Sequence, residues 1–168
     1  MTRSLLLMVT VGLCLATPPA AGPETTLAEF YQRYQTMKLS GLPGAKDTQQ
    51  LAPWLSGSLR QLMAKARAEQ ARCIKAFKDE KPPWIEGDLF TSNFEGFTTF
   101  RVNSADARST RLTLEFAYVA KGQTFAWRDD VEMVREGGAW KLNDIFFRHS
   151  AQPSQSLRAG LAGPGCSR

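Results

Sequence analysis

TFAWRDDVEMVREGGAWKLNDIFF, residues 124–147, is the stretch whose pattern decides the fold. In its first half Trp127, Val131 and Met133 fall on one face, with Asp129 between them in the same register. In its second half Trp140 and Leu142 fall together, followed by Asp144. A period of two is the mark of a half-buried β-strand. Gly137 and Gly138, between the halves, accept the positive φ angles that a two-residue hairpin turn demands. The stretch is therefore predicted to be an antiparallel hairpin with one face on the core. Trp140, beside Leu142 and opposite the strand of Val131 and Met133, is expected inside, where truncation to alanine would cost about 3–5 kcal/mol.

Moving toward the N-terminus, the same period continues. RLTLEFAYVA places Leu112, Leu114, Phe116 and Tyr118 on one side, and Gly122 marks the next turn. Phe97 to Val102 is predicted to be one more strand. Further upstream the period changes to that of a helix. TTLAEFYQRYQTMK sets Leu27, Phe30, Tyr31, Tyr34 and Met37 on one stripe, with Thr26 and Glu29 as a capping-box pair and Gly41 and Pro43 as the stop. DTQQLAPWL predicts a short helical turn, with Asp47 as its cap. A long amphipathic helix is predicted from Ser58 to about Asp79, burying Leu59, Leu62, Met63, Ala66, Cys73, Ile74 and Phe77. Its other face carries Arg60, Lys65, Arg67, Glu69, Arg72 and Lys75, a solvated surface. Pro82 and Pro83 end it. Helices first and strands afterwards give an α+β class, with N-terminal helices packed on a curved antiparallel sheet of at least four strands.

The 168-residue chain is 43% hydrophobic and 22% charged, which suits one globular domain and excludes wholesale disorder. The net charge of +5 is spread among acids, as in RAEQARCIKAFKDEK, so no basic element points to nucleic acid. The N-terminus differs from the rest. MTR is followed by the apolar run LLLMVTVGLCLA and then by TPPAAG. That order of basic flank, apolar stretch and small-residue exit describes a secretory signal peptide. The run is too short to cross a bilayer core of about 30 Å as a helix. Residues 1–21 are assigned to the signal, 24–148 to the domain and 149–168 to a C-terminal tail. Cleavage is expected after Ala16 or Ala21. A lipid anchor at Cys14 fits less well, because Leu13 stands where a small residue is expected. The mature chain is expected in the periplasm or outside the cell, with no membrane span.

Cys73 and Cys166 then remain, an even number in an oxidising compartment. Two readings stay open: one disulfide tying the tail to the long helix, or a buried Cys73 and a free tail thiol. The chain has no CxxC motif and no Cys–His pair for a thiol protease.

The last hairpin also carries a resemblance. Val131, Val134, Gly138, Trp140, Leu142, Asp144 and Ile145 match the closing hairpin of nuclear transport factor two-like domains, also called cystatin-like. The chain resembles that superfamily over roughly residues 24–148. It is also similar to a group of exported bacterial proteins of unknown function within it, in which an Asp-x-Phe segment leads from the last helix into the first long strand. Asp88 and Phe90 fill that segment. Where those proteins often carry Gln-Asp, this chain has Asn93 and Glu95. The resemblance implies a cone-shaped fold; it does not fix an activity, because this fold hosts isomerases, dehydratases, binding modules and scaffolds.

Cone folds with isomerase activity place a carboxylate and a Tyr in an apolar pocket, where burial raises the acid's pKa. Asp129, Asp144 and Tyr118 fall on inward registers of that kind. The competing reading makes Asp129–Asp130 a bulge or an exposed pair, and gives Asp144 a local hydrogen bond. No catalytic residue is assigned. No metal or cofactor site is assigned either: His149 is the single His, and Asp88…Asn93…Glu95 lacks the ligand spacing of a calcium loop. Phosphate-loop, GxSxG and Walker patterns are absent.

WIEGDLFTSNFEGFTTF, residues 84–100, gathers Glu86, Asp88 and Glu95 among five aromatics in a basic chain. It is expected to be a structural joint with Asp88 capping a turn, or the rim of a ligand or partner groove. Trp84, Asp88, Phe90, Glu95, Tyr118, Trp127 and Asp144 are the candidate rim residues. The expected role is non-catalytic binding or scaffolding, for a small apolar ligand or an envelope protein. An isomerase- or dehydratase-type enzyme is the first alternative, and an inhibitor or immunity protein is the second. An open cone lined by Tyr118, Trp127 and Asp144 would favour the enzyme; a filled one would favour the scaffold. N-terminal sequencing of the exported protein should begin between Thr17 and Gly22, whereas a lipid-modified Cys14 would overturn soluble export.

Overall fold

A computed structural model of the chain describes residues 21–103, 110–149, 156–163 and Cys166. The apolar N-terminal run and Cys14 lie outside the described residues. Three helices, α1 (Pro23–Met37), α2 (Ala45–Leu51) and α3 (Gly57–Ala76), precede four strands, β1 (Thr99–Asn103), β2 (Arg111–Ala120), β3 (Gln123–Glu136) and β4 (Ala139–Phe146). A short helix, α4 (Leu157–Ala162), follows. The strands form an antiparallel meander in the order β1-β2-β3-β4, an open sheet. The fold is α+β, with the helices laid against a sheet of four strands.

The stripe of α1 meets the sheet as its spacing requires: Leu27, Phe30 and Tyr31 have no exposed surface, and Tyr34 almost none. The start of α1 differs from the expected capping box. The helix begins at Pro23, whose missing N–H costs nothing at that position. Thr26 therefore lies inside the first turn and donates its hydroxyl to the Gly22 carbonyl. Glu29 instead accepts from the indole of Trp54. Likewise α2 is capped by Gly44, and Asp47 falls in its first turn. Helix α3 has Ser56 as its N-cap, accepting from Leu59 N, and it ends at Ala76. Ile74, expected inside, is 52% exposed, because the helix runs past the edge of the core before it stops.

Both tight turns are the expected two-residue hairpins. Ala120 pairs with Gln123 and Glu136 with Ala139, and the intervening Lys121–Gly122 and Gly137–Gly138 all have positive φ. The free edge of β4 is covered by the chain between α2 and α3: Leu142 N donates to Trp54 O and Ser56 N donates to Leu142 O. A β-bulge between Glu132 and Met133 shifts the β3–β4 register. On one side of it Met133 pairs with Leu142; on the other Val131 pairs with Ile145 and Glu132 with Asp144. The inward register therefore passes to Ile145, and Asp144 leaves the line of Trp140 and Leu142.

Trp140 corrects the expectation of a core residue. It is half-buried at the end of the last hairpin, with the Arg135 guanidinium over its ring. The C-terminal residues are more than a tail. Ser156 bridges to Phe146, Leu157 and Leu161 are buried in the core, and Cys73 and Cys166 are bonded at 2.07 Å. Of the two cysteine readings, the structure gives the disulfide. In urea denaturation Phe30→Ala should cost about 3–5 kcal/mol and Trp140→Ala about 1–2 kcal/mol. Equal losses would put Trp140 back in the core.

Candidate functional site

The cone between α1 and the sheet is filled by rings. Tyr31 is at its centre, with centroid distances of 5.0 Å to Phe30, 5.7 Å to Phe97, 5.6 Å to Phe100 and 5.3 Å to Phe116. Phe90 enters from the 84–96 segment and lies 5.1 Å from Phe30 and 5.0 Å from Tyr34. Trp127 closes the far side, stacked on Phe116 at 5.4 Å. Its buried indole N–H meets no acceptor among the described residues.

The segment after α3 is a joint built on hydrogen bonds. Gly41 N donates to Gly87 O and Leu42 N to Trp84 O, which ties it to the loop after α1. Gly41 has φ +69°, and a Cβ there would stand 2.5 Å from the Trp84 carbonyl. Asp88 Oδ1 accepts from Phe90 N at 2.8 Å and from the Tyr34 hydroxyl at 2.8 Å. The Tyr31 hydroxyl donates to Phe90 O at 2.7 Å. Gly96 passes behind Asp88 with φ +77°, where a Cβ would meet Asp88 Oδ2 at 2.9 Å. Asp129, fully buried, accepts from Ser92 N at 2.9 Å, from the Ser92 hydroxyl at 2.6 Å and from Arg148 N at 2.9 Å.

The candidate residues thus separate into two groups. Phe90, Trp127 and Asp144 are inside rather than on a rim. Phe90 has no exposed surface, Trp127 is 7% exposed, and Asp144 Oδ1 accepts from Ile145 N and from Arg158 N at the start of α4. Asp129 also departs from the bulge-or-exposed-pair reading; its neighbour Asp130 accepts from Thr113 and Arg148 at the sheet surface. Tyr118 is half-buried toward the β2–β3 turn, paired with the exposed Phe125. Around Tyr31 aromatic side chains fill the space between α1 and the sheet, while a cleft of about 740 Å³ lies along β1–β3 against Phe100, Phe116 and Trp127. Trp84, Asp88 and Glu95 remain at the surface of the joint.

Trp84 and Asp88, two of the candidate rim residues, line a groove whose other wall, α4, sequence analysis missed. Its volume is about 310 Å³, and it runs between the 84–94 segment and α4. Trp84, Leu89, Phe94, Phe147, Leu157 and Leu161 supply its apolar walls, and Asp88, Thr91 and Ser92 its polar ones. Phe94 is 58% exposed at its edge. Asp88 also borders two smaller clefts on the far side of the segment, one with Tyr34, Lys38 and Glu95, the other with Leu39, Glu86 and Phe94. The signal missed was the apolar pair Leu157 and Leu161 in a six-residue helix, too short for periodicity to stand out.

Burial pushes the Asp88 carboxyl up from its ordinary 3.8 to about 6, against the hydrogen bonds from Phe90, Tyr34 and Thr91, and the charge of Asp129 adds to the rise. Tyr34 is pushed far above its ordinary value by burial and by Asp88, against a hydrogen bond accepted from the Leu89 backbone, so its hydroxyl keeps its proton and donates it to Asp88. Among the described residues, one group has the right atoms for a metal, Glu69 with Cys73 and Cys166, and its sulfurs are already spent on the disulfide. No helix among the described residues is long and apolar enough to cross a membrane. Compared with protein-family models, with curated proteins and with solved structures, the chain matches none.

Because its value is higher in the folded chain than in the unfolded one, Asp88 holds its proton more tightly when folded. Its stabilising contribution is full below about pH 4 and is lost as pH rises through about 6. The change is bounded at about 3 kcal/mol, less the screening by water in the adjoining clefts. Asp88→Asn keeps an acceptor for Phe90 N and carries no charge. The melting temperature of wild type relative to Asp88→Asn should therefore fall between about pH 4 and pH 7; parallel profiles would show that Asp88 titrates as it does in water.

Proposed function

We propose that this chain is an exported protein of the bacterial envelope, periplasmic or secreted, with a nuclear transport factor two-like cone. Its role is binding, not catalysis, and its ligand is a small apolar molecule held in the groove between the 84–94 segment and α4. The observation that carries this reading is the mostly apolar groove that lies between the 84–94 segment and α4, outside the ring cluster around Tyr31. The groove falls at the small end of the range for ligand sites, with mostly apolar walls and a few polar groups to orient a guest. The Cys73–Cys166 bond supports export, since such bonds persist in oxidising compartments.

A second reading, an acid–base enzyme of the isomerase or dehydratase type, draws on the Asp88–Tyr34 pair, because a carboxyl near pH 6 suits proton transfer. Against it, both groups are already engaged in holding Phe90 and the turn, and burial pushes the Tyr34 hydroxyl far above its ordinary value.

The binding reading is tested with octan-1-ol as an apolar probe, titrated calorimetrically into the mature chain. One site per chain is expected. Phe94→Ser, at an exposed position, should change stability by no more than about 0.5 kcal/mol while weakening binding about tenfold or more. Undiminished binding in Phe94→Ser would place the site elsewhere.

A further inference from the structure

We propose that Gly160 holds the groove open at α4, and that the guest it admits is a compact, ring-bearing apolar molecule rather than a linear chain. The inference rests on the binding reading above and names the class of ligand.

Three residues of α4 line the groove: Leu157, Gly160 and Leu161. Positions three and four apart share one face of a helix, so these three make one side of α4, and that side is the wall. Arg158, Ala159 and Ala162, on the other sides, do not line it. Leu157 and Leu161 belong to the core cluster, whereas Gly160 is half-buried. A Cβ added at Gly160 would find no atom within 4 Å. On the face of α4 that lines the groove, this unfilled space is part of the groove itself.

The fold does not ask for glycine at this position. Gly160 is not among the glycines with positive φ, and it lies inside the helix. No backbone passes close to it, in contrast to Gly41, where a Cβ would stand 2.5 Å from the Trp84 carbonyl. Glycine within a helix is less favourable than alanine, and a helix of six residues has little to spare. What the missing side chain provides is room for another group to approach the backbone.

The size of the groove limits what comes there. An enclosed apolar cavity of about 150 Å³ takes one benzene ring, so about 310 Å³ suits a guest of one or two rings. A folded partner would cover about 20–30 residues, whereas ten of the described residues line this groove. A linear chain lying along the groove leaves the recess over Gly160 empty and forfeits the contacts on that side. A broader molecule fills it.

The test compares cyclooctanol with octan-1-ol, which have the same number of carbons and a single hydroxyl but differ in breadth. Each is titrated calorimetrically into the mature chain, Gly160→Ala and Gly160→Leu. Gly160→Ala should melt no lower than wild type, because its methyl meets nothing and alanine suits a helix better. It should weaken cyclooctanol about threefold, and Gly160→Leu, shown by circular dichroism to be folded, about tenfold or more. Octan-1-ol should change by less than about twofold in either variant. If Gly160→Leu does not fold, the contrast in Gly160→Ala decides. Cyclooctanol binding that is unchanged in the folded variants, or equal losses for the two guests, would overturn this inference and leave the groove reading standing. Binding of neither guest to wild type, or binding of both that Phe94→Ser leaves intact, would sink the groove reading and this inference together.

Discussion

The buried carboxyl of Asp129 is the point on which the outer surface of this protein depends. A polar group without exposure must find partners or destabilise the fold. Asp129 finds three: the N–H and hydroxyl of Ser92 and the N–H of Arg148. Ser92 belongs to the segment between the helices and the sheet, and Arg148 follows β4. One acid in the middle of β3 thus fixes the segment that makes one wall of the groove and the end of β4, where Phe147 borders it.

Asp88 does the complementary work from within the segment. It turns the chain back through Phe90 N and anchors it to α1 through Tyr34. Phe90 is thereby aimed inward, where it completes the ring cluster around Tyr31. The cost is a carboxyl held away from water and close to a second acid. That cost makes Asp88 sensitive to pH.

The other wall is made by residues far along the chain. Helix α4 has six residues and would not persist alone. It is held by its own cap, Ser56-like in chemistry, in which Ser156 accepts from Ala159 N, by Asp144 accepting from Arg158 N, and by the burial of Leu157 and Leu161. The Cys73–Cys166 bond then ties the chain beyond it to α3 across 93 residues. The shape of the groove therefore depends on contacts that are distant in sequence.

The sequence by itself determined the elements. Alternating Leu112, Leu114 and Phe116 call for a strand, and Leu27, Phe30, Tyr31 and Tyr34 for a helix, because burial on one face leaves a periodic trace. Gly122 and the Gly137–Gly138 pair mark the hairpins, because positive φ narrows the choice of residue. Asp88 was legible as a turn acid for the same local reason. What only the tertiary structure decided is how long-range partners divide the inward positions. Asp129 became an anchor and Asp144 a cap for α4, because a bulge moved the register between them. Trp140 shares the face of Leu142 yet lies at the hairpin's end, beyond the cover of the helices. Phe90 and Phe94, four residues apart in one loop, went to the core and to the surface, because a loop has no period to sort them. The groove itself could not be read, since its walls come from segments about seventy residues apart that meet through burial and hydrogen bonding, and neither leaves a local pattern in the chain.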